Sequence, residues 1–95
     1  MRLRAAVDAN QPEIVAALRR CGCTVALTHQ LGGGAGDIIV GRQGVNYWLE
    51  IKDGSKVPSK RELTPDEIEF HARWRGHIQV VNSVDEALRA VGVRV

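Results

Sequence analysis

Gln43-Gly44, a two-residue link between two apolar runs, constrains the folding of this chain more than any other pair of residues. A loop that short joins neighbouring antiparallel strands through a tight turn, with glycine where the backbone needs positive φ. Residues 37–42 and 45–52 therefore read as a hairpin. If Arg42 faces Val45, paired positions keep a constant sum, and Asp37 falls opposite Glu50. Along the second strand Val45, Tyr47, Leu49 and Ile51 share one face, while Asn46, Trp48, Glu50 and Lys52 share the other. The hairpin thus gathers two carboxylates and a lysine at one end of one face.

The flanks supply the rest of the architecture. Residues 12–20 read as a helix, with proline in its first turn, Ile14, Leu18 and Cys21 along one side, and Gly22 after its end. Residues 24–28 alternate as a strand, and the glycine-rich run 32–36 is a flexible loop leading into Asp37. Residues 53–63 have no apolar period and read as a long loop. Thr64-Pro65-Asp66-Glu67 has the form of a capping box opening a helix that runs to about Arg75 and stops at Gly76. A short buried strand follows at 78–81. Ser83-Val84-Asp85-Glu86 opens a last helix, closed by Gly92. Helix, three strands, helix, strand and helix predict an α/β fold, with a mixed central sheet flanked by helices.

Ninety-five residues suffice for one domain with one modest core, so the whole of 1–95 is read as a single unit. Apolar runs are only a few residues long, which excludes a membrane-spanning helix. Met1-Arg2-Leu3-Arg4 lacks the apolar run and cleavage site of a signal peptide, so the expected location is the cytoplasm. The net charge of +2 neither demands nor excludes a polyanionic partner. Its distribution says more. Arg2, Arg4, Arg19, Arg20, Lys56, Lys60 and Arg61 cluster in sequence, whereas Asp66, Glu67, Glu69, Asp85 and Glu86 fall in first turns of helices. Cys21 and Cys23, one glycine apart, are too close for an easy disulfide and too few for a four-ligand zinc site. Packing is preferred over half a metal site completed by His29.

The chemistry legible here is phosphodiester hydrolysis. That reaction needs a nucleophilic water, neutralisation of charge building on phosphate, and help for the leaving oxygen, all of which a divalent metal can provide. Mg²⁺ (or Mn²⁺) takes a few carboxylate oxygens and keeps several waters. Asp37 and Glu50 are the candidate carboxylates, with the main-chain carbonyl of Ile51 as a further oxygen. Lys52 would orient or deprotonate water and counter negative charge. An ordinary exposed ion pair explains Glu50 and Lys52 alone, since E-x-K is common on half-solvated strands. It explains Asp37 less well, because an acid beginning an apolar strand is costly without a purpose.

Gly36-Asp37-Ile38-Ile39-Val40, Leu49-Glu50-Ile51-Lys52 and Leu63-Thr64-Pro65-Asp66-Glu67 resemble the PD-(D/E)XK nuclease superfamily, in particular its VRR-NUC group of small stand-alone, phage-type members. Glu13 and the closing run 80–87 fit the same pattern, so the resemblance spans roughly residues 13–88. It implies a restriction-endonuclease-like αβββαβ core, here with an added C-terminal helix. It further implies metal-dependent nuclease activity with Asp37, Glu50 and Lys52 catalytic, and DNA substrates that are often branched, such as flaps and four-way junctions. If the chain is phage-encoded, its place is the host cytoplasm. Two positions depart from the pattern. Gly36 stands where proline is usual, which affects only the turn. Glu67 stands where glutamine is common; a carboxylate there is a candidate addition to the metal site, but a capping role accounts for it without chemistry and is preferred.

Glu13 has two readings, a first-helix acid approaching the metal, as the resemblance implies, or an acid stabilised by the helix N-terminus. His71 is read as structural, and Phe70 and Trp74 as core. The glycine run lacks the ending of a phosphate-binding P-loop and is better suited to close approach of DNA or metal near Asp37. Lys56, Lys60 and Arg61 are candidate phosphate contacts that read no bases. One small chain offers one site, so cutting two strands predicts a homodimer. The rival readings are a non-catalytic nucleic-acid-binding module that keeps the fold, and an α/β domain for protein contacts.

Overall fold

The computed structural model describes residues 7–95; Met1-Arg2-Leu3-Arg4, discussed above, lies outside the described residues. At its centre is the hairpin of β2 (Ile38–Arg42) and β3 (Val45–Ile51). The turn takes positive φ at both Gln43 (50°) and Gly44 (80°), the twist that lets two strands meet across two residues. Pairing runs from Arg42↔Val45 to Ile38↔Leu49, the expected register. Each strand is one residue shorter than expected, at Asp37 and at Lys52. There the ladder gives way to a side chain. The Asp37 N–H donates to the Leu49 carbonyl at 2.8 Å, and Asp37 Oδ2 accepts the Ile51 N–H at 2.7 Å.

β1 (Thr24–Leu27) pairs antiparallel with β2, and β4 (Ile78–Val81) pairs parallel with β3, giving a mixed sheet in the order β1-β2-β3-β4. One face is covered by α1 (Gln11–Arg20) and α3 (Val84–Ala90), which pack on the sheet and on each other. Ile14 and Leu18, one helical turn apart, meet Ile38, Val40, Leu49, Ile51, Val81, Ala87 and Val91 in the core. The alternation in β3 thus resolves as expected: Leu49 and Ile51 point into this core, while Trp48, Glu50 and Lys52 point away from it. Cys23 is buried in the core and burial raises its thiol pKa. Cys21 is exposed, so packing accounts for only one of the two free cysteines.

Among the described residues, the other face of the sheet carries one helix, α2 (Pro65–Arg73). Thr64 caps this helix in a reciprocal box: its hydroxyl accepts the Glu67 N–H at 3.2 Å, and Glu67 Oε1 accepts the Thr64 N–H at 2.9 Å. The helix ends two residues earlier than expected, because Trp74 is already extended. No residue of α2 is fully buried. Phe70 and Trp74 are accordingly not core residues. They gather around Trp48 on the open face, with ring centroids 5.4 and 4.7 Å from it, and Trp74 stays 43% exposed. Ser83-Val84-Asp85-Glu86 forms only half of a capping box: Ser83 accepts the Glu86 N–H, but Glu86 Oε1 turns to the Asn82 N–H. Short 3₁₀ turns at His29–Leu31 and Pro58–Lys60 interrupt stretches expected to be irregular. Among the described residues, no helix is long and apolar enough to cross a membrane.

Candidate active site

Because Ile38↔Leu49 ends the ladder, Asp37 and Glu50 stand side by side at the open end of the hairpin. Their carboxylates line one cavity of about 340 Å³ with Ile51, Lys52 and Glu67. Ile51 lines it although its side chain is buried in the core, so its main chain is what faces the cavity. The glycine run forms one wall. Gly34, at φ 84°, lies so close to the Asp66 carbonyl that a Cβ there would collide with it. At Gly36 a Cβ would strike the Trp48 indole ring. These glycines therefore seat the loop against α2 and β3.

Glu50 is only 2% exposed, and its Oε1 has no hydrogen-bond partner among the described residues. Burial, and then the neighbouring Asp37 charge, push its carboxyl up to about 10. Burial also raises Asp37, against the lowering effect of its bond from the Ile51 N–H. Two buried carboxyls this close cannot both be charged without a cation between them. Lys52 lies 3.8 Å from Glu50 Oε2 but only 2.7 Å from Glu67 Oε1. Burial would lower Lys52, but the bond to Glu67 and the surrounding acids outweigh it, and its pKa rises. Glu67 moves down, because its bonds from Lys52 and from the Thr64 N–H outweigh its burial. Lys52 is thus committed first to Glu67, which leaves the Asp37–Glu50 pair short of positive charge.

That shortfall fits a divalent cation. Asp37 and Glu50 offer two crowded carboxylates in a solvent-connected cavity, the donor set magnesium prefers. Among the described residues no group of three His, Cys, Asp or Glu side chains forms a metal cage. The fit is to an ion held by two carboxylates, main-chain oxygen and water.

Glu13 does not join the pair. It is exposed on α1 and lines a separate cavity with Asn10, Asp53, Arg61, Asn82 and Glu86. The acid reaching the site from that end of the chain is Asp8, just before α1, which lines the cavity and bears on both Asp37 and Lys52. It went unnoticed in the sequence because it precedes the helical period, although a lone acid three residues before a helix was a visible signal. Glu67 does both things asked of it, capping α2 and facing the site. His71 also enters the site, 4.0 Å from Glu50 Oε1, and burial lowers its pKa. Lys56 and Lys60 are exposed on the loop after β3. Arg61 folds back to donate to the Lys56 carbonyl at 3.0 Å.

A solved structure described as a VRR_NUC domain shares this fold, with a TM-score of 0.61 over 85% of this chain and 88% of its own, at 24% sequence identity. The sequence itself matches no family model and no curated protein. The fold implied by the three sequence motifs is therefore the one the chain adopts, a mixed-sheet VRR-NUC-type fold closed by a C-terminal helix.

Proposed function

We propose that this chain is a nuclease that hydrolyses DNA phosphodiesters with bound Mg²⁺ or Mn²⁺. The observation that carries the reading is the buried Asp37–Glu50 pair, crowded, short of a countercharge, and opening onto the same cavity as Lys52. When bound, the cation would activate water and neutralise charge on the phosphate.

The chain's own residues do the rest. Asp37 and Glu50 hold the ion, with the Ile51 main chain alongside, and Asp8 adds negative charge from the cavity's edge. Asp37 is itself held by the Ile51 N–H, so its position is set by the hairpin and not by a free rotamer. Lys52, raised in pKa, stays charged at neutral pH. It therefore serves as a fixed positive charge beside the phosphate and as an orienting group for water, not as a base. The loop bearing Lys56, Lys60 and Arg61 grips the DNA backbone. One shallow site suits branched DNA such as a flap or four-way junction, cut by a homodimer that presents two sites.

Incubation with flap, junction, single-stranded and plain duplex DNA, with Mg²⁺, Mn²⁺ or chelator, tests this directly. Cleavage only with metal, and none by Asp37→Ala or Lys52→Ala, is expected. A folded wild type that binds these DNAs and cuts none would return the reading to a non-catalytic binding module.

A further inference from the structure

α2 crosses β3 in matched steps. From Glu67 to His71 the helix advances four residues, about 6 Å, and from Lys52 to Glu50 the strand advances two, a little more, so these side chains can meet in register, with Trp74 three residues further on, just past the helix end. Glu67 meets Lys52 at 2.7 Å, His71 meets Glu50 at 4.0 Å, and Trp74 meets Trp48 with centroids 4.7 Å apart. The first and third rungs are closed contacts. The middle one joins two buried atoms, His71 Nε2 and Glu50 Oε1, neither of which has a hydrogen-bond partner among the described residues.

A buried imidazole nitrogen and a buried carboxylate oxygen, both unsatisfied and facing each other, make one donor–acceptor pair left slightly open. Its neighbours on both sides set its place. Glu67 is tied to Lys52 one turn before His71, and the Trp48–Phe70–Trp74 cluster is packed one turn after it.

We propose that His71 is a positioning residue for the metal site: its Nε2–H donates to Glu50 Oε1 and fixes the rotation of that carboxylate, leaving the other oxygen for the cation. This rests on the metal-binding reading above. His71 touches neither metal nor DNA. It acts through Glu50, as partners that orient ligating carboxylates do. The 4.0 Å rung would shorten to hydrogen-bond length with Glu50 holding the ion.

The test is Mn²⁺ binding without DNA, measured by the loss of free-ion paramagnetic resonance signal, in the wild type, His71→Phe and His71→Gln. His71→Phe keeps the bulk and loses the donor, and is expected to weaken Mn²⁺ roughly 10–100-fold. His71→Gln retains an N–H at similar reach and is expected to recover most of that loss. Equal affinity in wild type and a folded His71→Phe overturns the role, and so does a Gln variant as weak as Phe. A wild type that binds no Mn²⁺ overturns the metal reading itself, which is a separate result. Should the variants not fold, long-range proton–nitrogen spectra of the Mg²⁺-loaded wild type decide it. The His71 ring is expected to carry its proton on Nε2, and a bare Nε2 overturns the assignment.

Discussion

Lys52 Nζ lies 2.7 Å from Glu67 Oε1, more tightly held there than by Glu50 on its own strand, 3.8 Å away. One carboxylate thus secures both the start of α2 and the ammonium at the end of β3. Glu67→Gln keeps an acceptor for the Thr64 N–H but removes the charge, so the Lys52 pKa should fall. Acylation of Lys52 at mildly alkaline pH, followed by mass spectrometry, should be faster in Glu67→Gln than in wild type. Glu67→Ala should in addition lose the reciprocal half of the capping box, its bond from the Thr64 N–H, about 1 kcal/mol of stability by denaturant titration. Unchanged Lys52 reactivity in both variants would show that Glu67 does not govern the lysine.

The buried acid pair makes the metal-free protein sensitive to alkali. Glu50 is raised from 4.5 to about 10, so between these values the folded chain keeps a proton that the unfolded chain has released. Stability must then fall as pH rises through that window, by at most about 1.4 kcal/mol per pH unit for this one proton. Asp37 is shifted upward too and adds to the same trend. Lys52 does not offset it, since a pKa raised above 10.5 keeps its contribution intact throughout. Urea unfolding in chelator should give lower stability at pH 9 than at pH 7, above the range where His71, lowered by burial, acts in the opposite sense. Mg²⁺ should restore more at pH 9, and Glu50→Gln should flatten the slope. Stability in chelator that is level between the two pH values would contradict this account.

Activity and stability should separate at Asp37. Asparagine can still accept the Ile51 N–H, and it ends the repulsion with Glu50. Asp37→Asn should therefore melt at or above the wild-type temperature in chelator, while its cleavage of DNA is lost. Lys52→Ala should cut roughly 10²–10³-fold more slowly, the scale for removing one preorganised group that stabilises developing charge. An Asp37→Asn protein that cuts like wild type would remove Asp37 from the site.

The basic loop should act on affinity alone. Replacing Lys56 and Lys60 with alanine should weaken DNA binding to a similar degree for every sequence, and reduce the dependence of log K on log salt by about 0.9 per lost phosphate contact. Fluorescence anisotropy over a salt series measures both. A loss restricted to one DNA sequence would instead point to base reading.

Much of this site was legible before any coordinates, because Gln43-Gly44 permits few registers and a register assigns faces without further information. Asp37, Glu50 and Lys52 follow from that turn alone. The Thr64–Glu67 box was equally readable, since capping is local chemistry. What escaped were contacts between distant elements. Nothing local says that Glu67 and His71 look across at β3, that Asp8 and not Glu13 reaches the cavity, or that the sheet's second face goes largely uncovered. The last point also misplaced Phe70 and Trp74: aromatic spacing on a helix looks the same whether the helix seals a core or leans on an open sheet.

That lean has a kinetic meaning. The two acids ride on a hairpin wedged between helices, but the wall that hides Glu50 is a helix with no buried residue, held by one ion pair and three rings. Such a wall opens at a lower free energy than the sheet beneath it unfolds. Opening of that one short helix would uncover the buried side of Glu50 while the sheet stays folded, so protection of that side chain should follow α2 and not global unfolding of the chain.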